Sequence, residues 1–211
     1  GTEAKKLVAI GDPVTYDANY EELRHGLAVS RGFDNKAGAW VVAEALRRVS
    51  RAKKKCRAAI YSVATVQEEI GLRGAKTSTY GVDPLVGIAV DVTWAMDHPG
   101  VDKRQIGECV LGGGPVITRG ANINPVVFDR LIQVAKRKKI PHQIQAESGG
   151  TGTDANAMQL SRAGVATGLV SVPQRYMHTP VEIVALVDLD NTAKLLAEFA
   201  LAVESKASFI P

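Results

Sequence analysis

The chain has 211 residues, of which 45% are hydrophobic and 23% charged, the balance of one ordinary folded domain with room for a small appendage rather than of a disordered chain. Its 26 Lys and Arg against 22 Asp and Glu leave a formal charge of +4, which permits contact with nucleic acid without pointing to it. Two cysteines, Cys56 and Cys109, with no CxxC pair exclude a disulfide scaffold and a cysteine-ligated zinc finger, and no apolar run approaches the roughly 20 residues that span a bilayer.

In chain order, residues 7–16 predict short extended segments around the turn Gly11-Asp12-Pro13, and Leu23–Val29 predicts a further strand, so the opening reads as small and β-rich. From Asp34 the pattern changes. Ala37–Val49 places Trp40, Val41, Ala45 and Leu46 at helical spacing, and Ala58–Val66 is a β-branched run of strand length. Val86–Val92 predicts a second apolar strand, Val126–Ala135 a helix, Gln143–Ala146 an extended segment, Ala155–Arg162 a helix, Val165–Val172 a strand and Leu189–Val203 a final helix. This alternation predicts an α/β sheet with helices on both faces. The basic clusters Arg51–Arg57 and Lys136–Lys139 each follow a helical pattern, where cations complement the helix dipole, and neither is interleaved with the aromatics of a single-strand binding platform.

The acids in Phe33-Asp34-Asn35, Gln67-Glu68-Glu69-Ile70-Gly71 and Val90-Asp91-Val92-Thr93 each fall at or just beyond the carboxyl end of a predicted strand, the edge where open α/β sheets bind ligands. A fourth strand leads through Pro173-Gln174-Arg175-Tyr176-Met177 to His178, delivering an imidazole to that edge. Carboxylate oxygens with an imidazole nitrogen suit zinc, cobalt or manganese, and packed carboxylates need a cation to offset their repulsion. The pair Glu68-Glu69 lets one carboxylate ligate while its neighbour takes a proton from metal-bound water.

Each residue also has a plainer reading. Asp34 is equally a cap for the helix that follows, Glu68 and Glu69 a solvated helix start, Asp91 a turn residue and His178 a structural histidine. His25, His98 and His142 lack acidic partners at ligand-like spacing and read as surface or packing residues. The stretch Ser148–Asp154 lacks the Gly-Lys-Ser/Thr ending of a phosphate loop, and reads as a substrate-facing loop with Asp154 capping the next helix. Gly112-Gly113-Gly114-Pro115 reads as a turn before a strand.

Five stretches, Gly32–Gly38, Ala64–Ala75, Ala89–Thr93, Gly152–Ala155 and Arg175–Thr179, resemble in order and spacing the M42 family of di-metal aminopeptidases, which includes glutamyl aminopeptidases and the tetrahedral TET peptidases. The similarity runs from about Val8 to near the C-terminus, and the string Gln67–Ala75 is its most specific part. The resemblance implies a zinc-exopeptidase-like mixed sheet flanked by helices on both faces. Carried over by position, Asp34 looks like the carboxylate bridging two divalent ions (Zn²⁺ or Co²⁺), Glu68 like the general base, Glu69 and His178 like ligands of one ion and Asp91 like a ligand of the other. Gly152, Thr153, Asp154, Arg175 and Tyr176 become candidates for the first side-chain pocket, with Arg175 either favouring acidic N-terminal residues or bracing the loop.

The same resemblance makes this chain similar to the C-terminal part of the enzyme, with residues 1–25 the remnant of an inserted β-rich dimerisation domain and 26–211 an incomplete catalytic domain. One further histidine ligand of the family belongs to a segment that this chain does not contain. The expectation is therefore a metal-dependent aminopeptidase in its intact form, cytoplasmic, acting on peptides, homo-oligomeric as dimers or a dodecamer, with no nucleic-acid or membrane partner. The 211 residues alone are expected to bind one divalent ion weakly and to be inactive or weakly active. Two other readings stand beside it: an endoglucanase-type glycoside hydrolase, for which 5% aromatics with Trp40 and Trp94 offer a thin sugar-stacking cleft, and a non-catalytic interaction fragment.

Overall fold

A computed structural model describes the backbone of residues 1–211 and all side chains except those of residues 105 and 106. Seven strands form one sheet: β1 (Glu21–Glu22), β2 (Leu27–Ser30), β3 (Val86–Trp94), β4 (Val116–Gly120), β5 (Gln143–Glu147), β6 (Ala166–Arg175) and β7 (Glu182–Ala185). Seven helices accompany them: α1 (Ala4–Leu7), α2 (Phe33–Arg51), α3 (Arg73–Val82), α4 (Lys103–Ile106), α5 (Pro125–Arg137), α6 (Asp154–Met158) and α7 (Leu186–Ala202). The path β1-β2-β7-β6-β4-β5 carries the sheet, and β3 joins it by pairing with β6. β3 with β6 and β4 with β5 run parallel, while the remaining pairings are antiparallel, which makes the sheet mixed as expected.

β6 is the axis of the fold. Thr167 to Gln174 are all buried, and since successive strand residues point to opposite faces, both faces of the sheet are covered at this strand. Val127, Leu131 and Val134 of α5 pack with Leu195 and Phe199 of α7 on Ile117, Leu169 and Val170. Ala37 and Val41 of α2 pack with Leu189 and Ala193 of α7 on Val92, Val172 and Val184. The same sequence logic sets the helix ends: Asn124 accepts hydrogen bonds from Val126 N and Val127 N ahead of Pro125, and Lys136 and Arg137 close the last turn of α5.

Three local expectations are corrected. Residues 7–16 carry no strand, since only the short helix α1 and exposed irregular chain are present before β1, with no buried residue in 1–25 to anchor a ladder. Leu23–Val29 is not one strand, because a 3-10 turn over Arg24–Gly26, with His25 left-handed at φ 63°, delays β2 to Leu27. Ala58–Val66 forms no strand and pairs with none among the described residues, so its β-branched pattern has no ladder to join. α6 is also shorter than the predicted 155–162, ending at Met158.

Candidate metal centre

β7 is antiparallel to both β2 and β6, so β2 and β6 run the same way, and β3 runs with β6. Their carboxyl ends therefore reach one edge, where Asp34 follows β2, Asp91 lies in the last half of β3 and His178 follows β6. This is the convergence the sequence predicted for three of its four strands. Glu68 and Glu69 arrive from the unpaired 58–66 segment through a turn that ends in α3.

Asp34 is freed for this edge by its neighbour. The helical geometry of α2 is broken at Asp34 and Asn35, and it is Asn35 Oδ1 that accepts the Gly38 amide at 2.8 Å, the bond a cap makes to the third helical residue. The capping alternative for Asp34 is thereby corrected, since the cap belongs to Asn35. Asn35 Nδ2 also donates to the Val90 carbonyl at 2.7 Å, tying the start of α2 to β3 beside Asp91.

Asp34, Glu69 and His178 each offer one ligand atom, and these atoms all lie within 4.8 Å of one another. His178 Nε2 stands 3.0 Å from Asp34 Oδ2 and 3.8 Å from Glu69 Oε1. The loop that presents this imidazole is held in a costly conformation, with Tyr176 at φ 58° and His178 at φ 63°, the left-handed region that side chains other than glycine occupy at a cost of order 1–3 kcal/mol each. Glu182, at the start of β7 and buried, accepts the Asp34 amide through Oε2 at 3.2 Å, a contact the sequence reading missed. Its only advance signal was a carboxylate four residues beyond His178.

The electrostatics of the cluster are those of acids short of cations. Burial, then the charges of Glu69 and Glu182, push the Asp34 carboxyl up to about 6 against the opposing pull of His178. Burial, then Glu69, Asp154 and Asp34, push Glu68 up to about 7. Burial dominates at Asp91, pushed up to about 8 with Asp34, Glu68 and Asp154 adding to it, although its Oδ1 accepts the Val92 amide. A divalent cation meets this need, and the donor set of carboxylate oxygens with one imidazole fits zinc, cobalt or manganese.

The remaining predicted residues are distributed around the cluster. Asp154 does not cap α6, because Thr153 occupies the cap position and Asp154 is the first helical residue. Its Oδ2 instead accepts the Thr65 hydroxyl at 2.6 Å, while its Oδ1 is buried with no partner among the described residues. Thr153 Oγ1 lies 3.0 Å from Thr151 Oγ1, and Gly152 is exposed between them. Arg175 forms a two-point bond to Asp97 at 2.8 and 2.8 Å, the geometry of the bracing alternative, with Asp97 also accepting the Leu111 amide. Tyr176 packs its ring 4.8 Å from that of His98.

The chain matches the M42 glutamyl aminopeptidase family over residues 1–195. It belongs to that family. A lysyl aminopeptidase from Pyrococcus furiosus is 42% identical to this M42 chain over 88% of it and 52% of the relative. A TET aminopeptidase from the marine sediment archaeon Thaumarchaeota archaeon SCGC AB-539-E09 superposes with a TM-score of 0.89 at 33% identity, covering 96% of this chain and 57% of the other. A TET1 peptidase from Pyrococcus horikoshii, described as able to assemble into a tetrahedron or a large octahedral shell, superposes with a TM-score of 0.80 at 28% identity, covering 96% and 58%. The M42 chain thus spans about half the length of these relatives. No described helix is long and apolar enough to cross a membrane.

Proposed function

We propose that these residues form the C-terminal part of the catalytic centre of a metal-dependent aminopeptidase that removes N-terminal residues from peptides. The observation that carries the reading is the meeting of Asp34, Glu69 and His178 within 4.8 Å beside Glu68. Asp34, Glu69 and His178 would hold one divalent ion, and Asp34 with Asp91 would give a second ion only part of its ligands. A divalent ion held there, zinc or cobalt, would supply Lewis-acid polarisation of the scissile carbonyl and positive charge for the developing oxyanion.

Glu68 then acts on protons. Its raised affinity, about 7, suits a group that takes a proton from the attacking water and returns it to the departing amine near neutral pH. Gly152, Thr153 and Asp154 with Tyr176 would border the first side-chain pocket, while Arg175 serves it through Asp97 by fixing the 110–114 loop. Residues 1–25, none of them buried, would be the remnant of an inserted dimerisation domain, and 26–211 an incomplete catalytic domain. The assemblies described for the P. horikoshii neighbour support a homo-oligomer for the intact enzyme.

The test is an aminoacyl-anilide panel on this chain and on a full-length family polypeptide that carries it, with Zn²⁺ or Co²⁺ and then a chelator. The longer polypeptide should cleave and lose activity to the chelator, Glu68→Gln in it should lower kcat by about 10²–10⁴-fold, and the 211 residues alone should cleave poorly or not at all. Full activity of the short chain, or cleavage indifferent to chelator, would overturn the reading.

A further inference from the structure

The two basic segments of the sequence are far apart in the chain and meet in the fold. The first supplies Arg51, Lys53, Lys54, Lys55 and Arg57, the second the four consecutive cations of Lys136–Lys139, and all nine are exposed. Their meeting place is the end of α7. Cys56 Sγ donates to the Ala200 carbonyl at 3.7 Å and Arg57 pairs with Glu204, which seats the first segment there, while Lys138 pairs with Glu198 at 2.8 Å, which seats the second. Lys54, Arg137 and Lys138 then line one surface pocket of about 440 Å³, with Leu201 and Ala202 of α7 as its apolar lining.

Complementing helix dipoles accounts for a minor part of this charge. α2, α5 and α7 all end at these residues, and each helix C-terminus is equivalent to about −0.5 of a charge, so the three ends with Glu198 and Glu204 offset about 3.5 of the nine cations. Apart from Arg57 and Lys138, none of the nine has an ion-pair partner among the described residues. Nine cations against two acids leave a local +7 in a chain whose whole formal charge is +4, so the rest of the molecule sums to −3. Lys139 also holds φ 53° where α5 is closed by the bond from the Ile140 amide to the Ala135 carbonyl at 2.9 Å, the position at which helices favour glycine. The patch is remote from the metal centre, because α2 starts beside that centre and rises by roughly 22 Å between Lys36 and Arg51.

We infer that this patch is a binding site for a linear inorganic polyphosphate. Lysine and arginine side chains donate hydrogen bonds and accept none, so the ligand that suits the pocket is made of acceptors alone. A chain of phosphates meets that condition. An acidic peptide does not, because its backbone amides need acceptors and the two carboxylates of the pocket, Glu198 and Glu204, are already engaged by Lys138 and Arg57. A single-stranded nucleic acid would bring bases, and neither basic segment contains an aromatic residue on which they could stack. A duplex, whose major groove alone is about 12 Å wide, would meet only the rim of the pocket. The exposed lysines that flank Lys54, Arg137 and Lys138 in both segments extend the positive charge past the pocket, as a ligand longer than the pocket requires. The inference does not rest on the proposed aminopeptidase activity, and its readout is binding.

Isothermal titration calorimetry of the chain with linear polyphosphate at physiological ionic strength should give saturable binding that weakens as salt rises. Lys53→Gln, Lys54→Gln and Lys55→Gln together, and in a separate protein Lys136→Gln, Arg137→Gln and Lys139→Gln together, should each weaken binding at least tenfold, because both segments hold the ligand. Lys5→Gln, Lys6→Gln and Lys76→Gln together remove the same charge from exposed positions elsewhere and should change the affinity less than twofold. An equal loss in that control would reduce the effect to net charge and overturn the proposal. Reductive methylation of the unaltered chain, read by mass spectrometry, needs no substitution: polyphosphate should slow modification of the lysines in both basic segments and leave Lys5, Lys6 and Lys76 unchanged, and uniform slowing would also overturn it. So would the absence of saturable binding. Tighter binding of poly-glutamate or of a nucleic-acid duplex than of polyphosphate would assign the patch to that partner and equally overturn the proposal.

Discussion

The residue that decides the use of Asp34 is its neighbour. Because Asn35 takes the Gly38 amide and also holds the Val90 carbonyl, the Asp34 carboxylate is left to face His178, and Gly38 is required because a Cβ there would lie 2.3 Å from Asn35 Oδ1. Asn35→Ala should lower stability by about 1 kcal/mol for the lost cap and, in the same protein, weaken Zn²⁺ binding measured by calorimetry. Gly38→Ala should reproduce both defects, and normal metal affinity in both variants would refute the positioning role. Asp91 carries a pH signature. Its carboxyl rises from 3.8 to about 8 on folding, so the folded chain holds a proton that the unfolded chain releases between those values. The stabilisation from this group is present at low pH and is lost as pH rises through about 8. The metal-free chain should therefore melt at a lower temperature at pH 8.5 than at pH 6, and Asp91→Asn should flatten that slope in a calorimetric series. An equal slope in the variant would remove Asp91 as its source.

At the scale of elements, two buried or half-buried carboxylates hold the turn before β4. Asp188, at the start of α7 and fully buried, accepts the Gly112 and Gly114 amides at 2.7 and 2.8 Å, and the Asp97–Arg175 pair secures Leu111 beside it. Asp188→Ala leaves buried amides without acceptors and should cost about 2–4 kcal/mol in a urea titration, while Arg175→Gln should cost less and spare metal binding. Arg175→Gln altering the N-terminal residue preference in the full-length enzyme would instead return Arg175 to direct substrate contact. At the start of α5, Asn124 caps two amides and donates to the Phe209 carbonyl at 2.8 Å, binding the chain's end to the helix. Asn124→Ala should lower the melting temperature by roughly 2–8 °C, corresponding to about 1–2 kcal/mol in a chain of this length.

For the whole molecule, the acids that crowd the carboxyl edge of the sheet make stability and metal binding one equilibrium. An ion that binds only the folded chain at a hundred times its Kd adds about 2.7 kcal/mol, so saturating Zn²⁺ should raise the melting temperature by several degrees near pH 8, and Glu69→Gln with His178→Ala should abolish that rise. An undiminished rise in the double variant would place the ion elsewhere. The candidate centre was legible to the degree that its residues follow strands. Asp34, Asp91 and His178 stand out in the sequence because each lies near the carboxyl end of an apolar run, while α2, α5 and α7 are legible because burial on one face imposes a period of 3.6, and β3 and β6 because strands covered on both faces read as continuous apolar runs. Glu182 was not legible, since its place four residues beyond His178 says nothing of burial against an amide 148 positions away. α3 and β7 were missed for a related reason: one opens with Gly74 packed on Val66, and the other is four residues whose partners lie in β2 and β6.

The sequence by itself determined the α/β alternation, the acids and imidazole at the sheet edge and the resemblance to M42 peptidases, because periodicity and motif spacing are local properties of the chain. Only the tertiary structure decided that Asn35 and not Asp34 caps α2, that Arg175 is paired to Asp97, and that Ala58–Val66 is a strand in composition without a ladder. Each of those outcomes depends on which distant backbone groups and charges arrive as neighbours, and a strand's own sequence specifies its readiness to pair but not the presence of the partner.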